Sequence, residues 1–131
     1  MKIGFTASAF DLLHTGHVAM LQEAKQQCDY LICGLHFNPR WERKEKNKPA
    51  QNIVERYTQL KAVKYVDEII PYSTERELLD ILELYPIDIR IIGEEYRDKD
   101  FTGKDMGIEI YYNKRQHRFS SNELRNKILE K

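Results

Sequence analysis

Short apolar runs alternate along the chain with segments whose apolar positions recur every three or four residues. Lys2-Ile3-Gly4-Phe5-Thr6 predicts a first strand, and Ala7 to Thr15, which has no helical period, predicts a loop. From Gly16 the positions Val18, Leu21, Ala24 and Cys28 fall on one face of an amphipathic helix. Tyr30 to Leu35 is continuously apolar, as expected for a strand buried on both faces. A second helix is expected through Ile53, Tyr57, Leu60 and Lys64, and a third strand at Glu68 to Pro71. Thr74-Glu75-Arg76-Glu77 is a capping box that opens a helix with Leu78, Leu79 and Leu82 turned inward. Asp88 to Gly93 and Ile108 to Tyr112 predict two more strands, and a last helix starts near Ser120 with Leu124 and Ile128 on one face.

Five strands alternating with helices imply an α/β fold: a single-domain, Rossmann-like, doubly wound sheet of about five parallel strands with helices on both faces, occupying residues 1–131. In such sheets ligands sit beyond the carboxyl ends of the strands, at the point where strand order reverses. Two loops at those ends stand out. His36 to Gln51 carries Pro39 and Pro49 and, between them, Arg40, Arg43, Lys44, Lys46 and Lys48. Its length is at the upper edge for a connection, which points to function. Glu94 to Gly107 is the second, polar and glycine-bearing.

Composition narrows the classes. Lys plus Arg and Asp plus Glu are both 21, so no overall basic excess favours nucleic acid. Mean hydropathy is −0.66, and no stretch approaches the roughly 20 apolar residues of a membrane span. With no signal-peptide pattern, a cytoplasmic protein is expected. Cys28 and Cys33 have neither CxxC spacing nor nearby paired histidines, and are expected to be buried thiols.

The candidate chemistry lies after the first strand. His14 and His17 are three apart at the mouth of a helix, with Gly16 between them. A helix N-terminus offers unpaired N–H groups to phosphate, and imidazoles beside it can donate to phosphoryl oxygens as charge develops. A third metal ligand at familiar spacing is missing, so no metal-ligating residue is identified. Neither the Walker loop nor the dinucleotide fingerprint occurs.

Phe10-Asp11-Leu12-Leu13-His14-Thr15-Gly16-His17 resembles the HxGH signature of the nucleotidyltransferase superfamily, in particular the small cytidylyltransferases that act on glycerol 3-phosphate or related phosphorylated alcohols. Lys64 to Pro71 resembles that family's second block, Gly93-Glu94-Glu95-Tyr96 its Gly-Asp-Asp-Trp block, and Arg115 to Ser121 stands in the place of its Arg-Thr-x-Gly-Ile-Ser-Thr motif. The resemblance covers nearly the whole chain. It implies transfer of CMP from CTP to a small phosphorylated alcohol, glycerol 3-phosphate first among them, with release of pyrophosphate. It also implies Mg2+ accompanying CTP and a homodimer; the balanced charge and the lack of an apolar span leave no nucleic-acid or membrane partner expected.

Carried over residue by residue, the resemblance makes His14, His17, Lys46 and Arg115 catalytic. It places Ser8, Ala9, Phe10, Gly16, Glu95, Arg115, Gln116, Ser120 and Ser121 around the nucleotide, and Lys44, Lys46 and Arg56 on the substrate. A one-residue offset before Arg56 leaves Lys46 with Lys48 as the alternative lysine pair, and Ser120 also forms a helix-capping box with Glu123. Trp41 either covers a ligand or packs on the protein. The chain departs from the pattern at Ser8-Ala9, where the family has Gly-Thr, and at Gln116 and Arg118. Leu78 stands where glycerol-3-phosphate enzymes tend to have a substrate lysine, with Arg76 in reach of the same region. These departures keep open an adenylyltransferase of the same superfamily and a nucleotide-binding regulatory protein of low turnover.

Overall fold

The computed structural model describes residues 1–114. Within them β1 (Ile3–Ser8), β2 (Tyr30–His36), β3 (Glu68–Tyr72), β4 (Ile89–Gly93) and β5 (Glu109–Asn113) form one sheet in the order β3-β2-β1-β4-β5. All four pairings are parallel; α-helices make the crossovers as far as β4, while β4 runs to β5 through a loop with two short 3-10 turns, Glu94–Tyr96 and Lys104–Met106. The helices are α1 (Thr15–Gln26), α2 (Ile53–Lys61) and α3 (Glu75–Leu84). The helix expected near Ser120 lies outside the described residues.

Strand alternation divides the core into two layers. Leu31, Cys33 and Leu35 of β2 and Ile89 and Ile91 of β4 pack with Leu21 and Ala24 of α1 and Leu60 of α2. Phe5 and Ile32 face the other way, onto Leu78, Ile81 and Leu82 of α3. Gly34 keeps this second layer tight: a Cβ there would stand 2.7 Å from the Phe5 ring and 3.2 Å from Tyr72. The chain leaves β1 in one direction through α1 and α2, then returns through α3 to the far side of β1. The switch point therefore falls between β1 and β4, and it locates the site.

Several boundaries differ from the sequence pattern. β1 continues through Ala7 and Ser8, which pair with Gly34 and Leu35, so the histidine loop is shorter than Ala7 to Thr15. β2 likewise extends to His36, opposite Tyr72. α1 stops at Gln26, and Cys28 follows it in a turn with its thiol donating to the Ala24 carbonyl. α2 stops at Lys61, short of Lys64: a turn closed by Val66 N–H on the Val63 carbonyl redirects the chain into β3. Cys33 is buried and neither cysteine is in a disulfide; burial pushes both thiols up from their ordinary range. No helix among the described residues is long and apolar enough to cross a membrane.

Candidate active site

The two histidines cap their own helix. His14, in extended conformation, is the N-cap of α1 and its Nδ1 accepts from Gly16 N–H at 2.9 Å, while His17 Nδ1 accepts from His14 N–H at 3.2 Å. The rings lie 4.2 Å apart, inclined at 46°. A nitrogen that accepts a backbone N–H carries no proton, so each neutral ring holds its proton on Nε2. The capping box thus gives both imidazoles the tautomer that donates away from the helix start. Capping boxes ordinarily use Ser, Thr, Glu or Gln, and the sequence pattern gave no reason to expect histidines there.

The loop before this pair is held by the chain that follows the basic segment. Phe10 and Leu12 both adopt left-handed backbone, φ 48° and 51°, conformations that side chains rarely take. Phe10 is 1% exposed in the core. Asp11, also buried, accepts from Ala50 N–H at 2.8 Å and Gln51 N–H at 2.9 Å, and Leu12 N–H donates to Gln51 Oε1 at 2.8 Å. The carboxylate of the Phe-Asp pair therefore ties the end of the basic loop to the histidine loop.

Beyond the strand ends lies a cavity of about 470 Å3 that takes in Ser8, Ala9, His14, Gly16, His17, Lys46 and Glu95 together. Its walls also include His36, Arg43, Tyr72, Glu75, Leu78, Arg90, Tyr96, Asn113 and Lys114. Arg43, Lys46, Arg90 and Lys114 outnumber Glu75 and Glu95, so a chain with balanced charge gathers positive charge along this cavity. Lys46 reaches across from its loop to Tyr96 Oη at 3.5 Å. The Glu95 carboxylate lies against Gly93 at the end of β4. Asn113, at the end of β5, is 3% exposed, and its Oδ1 has no hydrogen-bond partner among the described residues.

A family model described as cytidylyltransferase-like matches residues 5–127, nearly the entire chain. The chain belongs to the cytidylyltransferase-like family. Among curated relatives of this family member, the bifunctional protein HldE of Caulobacter sp. (strain K31) is 35% identical over 107 residues, covering 81% of this chain. Bifunctional protein HldE of Campylobacter jejuni (strain 81116) is 33% identical over 131 residues, covering 99% of it. The chain spans 22% and 28% of the length of those two relatives. Solved structures share the fold. A lipopolysaccharide core biosynthesis protein from Thermoplasma volcanium superposes with TM-score 0.62 at 22% identity, covering 99% of this chain and 88% of that one. A bifunctional NMN adenylyltransferase/ADP ribose pyrophosphatase from Francisella tularensis does so with TM-score 0.69 at 16% identity, covering 98% and 42%. The fold and the family are those of nucleotidyltransferases.

Within this family's site, the sequence expectations divide. His14, His17, Gly16, Ser8, Ala9, Lys46 and Glu95 come together at the cavity. Phe10 is instead a core residue that shapes the loop. Lys44 and Lys48 are exposed and do not line the cavity, so neither alternative pairing with Lys46 is brought together there. Arg56, expected on the substrate, does not line the cavity. It is 2% exposed, and its guanidinium donates to the carbonyls of Gln51 (3.1 Å), Ala9 (3.1 Å), His36 (2.7 Å) and Phe37 (2.6 Å). These four bonds to backbone carbonyls hold the ends of β1 and β2 against the basic loop. Trp41, 61% exposed, stacks on Phe37 at 5.0 Å. Leu78 lines the cavity, while Arg76 pairs with Asp80 on the surface of α3. Arg115, Gln116, Ser120 and Ser121 lie outside the described residues. Asp11, Asn113 and Arg90 were missed: Asp11 and Arg90 are single polar residues between apolar ones and Asn113 ends an apolar run, and sequence period alone does not say which way each points.

Proposed function

We propose that this chain transfers a nucleoside monophosphate from a nucleoside triphosphate, CTP in the first instance, to the phosphate of a small phosphorylated alcohol or sugar. The observation that carries the reading is the reciprocal cap of His14 and His17, which leaves two Nε2–H donors at the start of α1, at a cavity that Lys46 also lines. An oxygen of the acceptor's phosphate attacks the α-phosphorus in line. The new bond is acceptor oxygen to α-phosphorus, the bond broken is α-phosphorus to the bridging oxygen, and pyrophosphate leaves with that electron pair. A phosphate monoester is mostly dianionic near neutral pH, its second pKa being about 6. The acceptor therefore needs no general base, and the protein's task is alignment and charge stabilisation. His14 and His17 donate to oxygens of the α-phosphate as charge grows there, and Lys46 draws the loop over the phosphates.

Magnesium enters with the triphosphate. Among the described residues no three His, Cys, Asp or Glu side chains are grouped to hold a metal by themselves. The ion would be held chiefly by phosphate oxygens, where it neutralises charge on the transferring and leaving groups.

ATP in place of CTP is the second reading, favoured by a neighbour in fold, the bifunctional NMN adenylyltransferase/ADP ribose pyrophosphatase, whose structure is a complex with AMP. Pyrophosphate release with CTP and with ATP, each against a panel of phosphorylated alcohols and sugars, decides between them. Release with CTP supports the first, release with ATP alone the second. Tight triphosphate binding with no release from any pair overturns both and leaves a binding protein.

A further inference from the structure

The α3 side of the cavity holds a buried charge that the chemistry above does not use. Ile89 and Ile91 of β4 enter the core layer with α1 and α2, so Arg90 between them faces the opposite layer. It is 5% exposed. Its guanidinium donates to the Thr102 carbonyl and lies over the Phe101 ring, 5.1 Å from the centroid. Among the described residues no carboxylate comes within ion-pair distance of it. Glu75, the carboxylate whose charge reaches it, is already paired with Arg43 at 3.6 Å.

A buried cation is normally compensated by an anion, because desolvation is otherwise returned only in part. One carbonyl and one ring face are an incomplete return for a group with five N–H donors. The surrounding chain nevertheless fits this guanidinium closely. Gly103 has left-handed backbone, φ +82°, and a Cβ there would stand 2.9 Å from Arg90 Nη1. Tyr72, 7% exposed, stacks on His36 at 4.6 Å, and both line the cavity with Arg90. The site is built around a charge, and the cavity is where that charge can meet an anion.

We propose that Arg90, which lines the cavity together with Tyr72 and His36, binds an anionic group, phosphate or carboxylate, of the acceptor. The triphosphate is met by the turn after β1 and the start of α1, on the other layer of the sheet, so the Arg90 wing is left to the second substrate. This assignment rests on the nucleotidyl-transfer reading, and the test separates the two.

Wild-type protein labelled with nitrogen-15 is titrated with inorganic phosphate and, separately, with acetate, following the Arg90 side-chain Nε–H and the Thr102 amide. A saturable shift at both positions is expected with at least one anion. No saturable shift at Arg90 with either overturns the proposal, whatever turnover shows. Steady-state kinetics of Arg90→Lys and Arg90→Met follow, the lysine variant keeping a charge and a donor for Thr102 in case the methionine variant unfolds. The acceptor KM is expected to rise about 10- to 100-fold with the triphosphate KM unchanged. A rise with glycerol 3-phosphate places the attacking phosphate at Arg90. A rise confined to acceptors that carry a carboxylate besides their phosphate places that second anion there. An unchanged acceptor KM, or an equal rise for both substrates, overturns the assignment. If wild-type protein turns over no pair at all, the nucleotidyl-transfer reading fails and the titration alone decides whether Arg90 binds an anion.

Discussion

Replacing Arg56 separates a framework arginine from a substrate-binding one. Its guanidinium joins the carbonyls of Ala9, His36, Phe37 and Gln51, three chain segments that meet behind the site. Lysine keeps the charge but loses the planar fork, and can satisfy about one of these acceptors. Hydrogen bonds to charged groups net about 1.5–3 kcal/mol each. Water reaches the part-buried carbonyls, so the buried His36 carbonyl counts in full and the others only in fraction. The expected loss for Arg56→Lys is about 3–5 kcal/mol, against a typical total of about 5–15 kcal/mol. At about 3 °C per kcal/mol for a chain of this size, Tm falls by about 10–15 °C. Circular dichroism during thermal and urea unfolding measures the loss. Steady-state kinetics well below the new Tm should show kcat/KM reduced for both substrates together, since both loops lose their anchor. A Tm within about 2 °C of wild type, with only the acceptor KM raised, would falsify the framework role.

The remaining expectations are shorter. His17→Asn keeps an acceptor near the position of Nδ1 but removes the Nε2–H donor, so kcat should fall about 100- to 1,000-fold while stability changes by under about 1 kcal/mol; an equal loss of stability and rate would make the ring a cap alone. Lys46→Met should lower kcat/KM by at least about tenfold, whereas Lys44→Met, on an exposed position away from the cavity, should stay within about twofold; the reverse order in parallel assays refutes the placement. Burial holds the His36 pKa below its ordinary value of 6.5. The unfolded chain therefore binds a proton first as pH falls, and stability drops below about pH 6.5 toward the folded pKa. Urea midpoints of wild type and His36→Gln across that range should converge at low pH, and parallel curves would remove His36 as the cause.

Period and caps carried most of the fold into the sequence. Thr74 and Glu77 form the capping box their spacing predicts, and the five strands fall where the apolar runs lie. Boundaries moved where pairing across the sheet outweighed local pattern, as at Ala7 and Ser8 opposite Gly34 and Leu35. The site was legible where chemistry and position coincide, as in the histidine pair. It was illegible where one residue type serves two ends. Arg56 and Lys46 read alike as basic residues near a phosphate loop, yet a helix position turns one inward to carbonyls and a loop position leaves the other at the cavity. Arg90 was hidden for a third reason: inside an apolar strand, a charge says nothing of its layer until its neighbours' registers are known.

The strand order also sets a schedule for making the protein. β1 lies in the middle of the sheet, and one of its two partners, β4, begins at Ile89. Until then the flank that will receive β4 stays open along Gly4 and Phe5, carrying neither a charge nor a proline to discourage wrong partners. At a synthesis rate of about 5–20 residues per second, the interval between completing β1 and completing β4 is roughly 4–17 s. The closing contact is reciprocal: Ile3 N–H donates to the Asp88 carboxylate and Asp88 N–H to the Ile3 carbonyl, each at 2.8 Å. A chain halted before Asp88 leaves one flank of its central strand unpaired, an open edge of the kind on which other strands can pair.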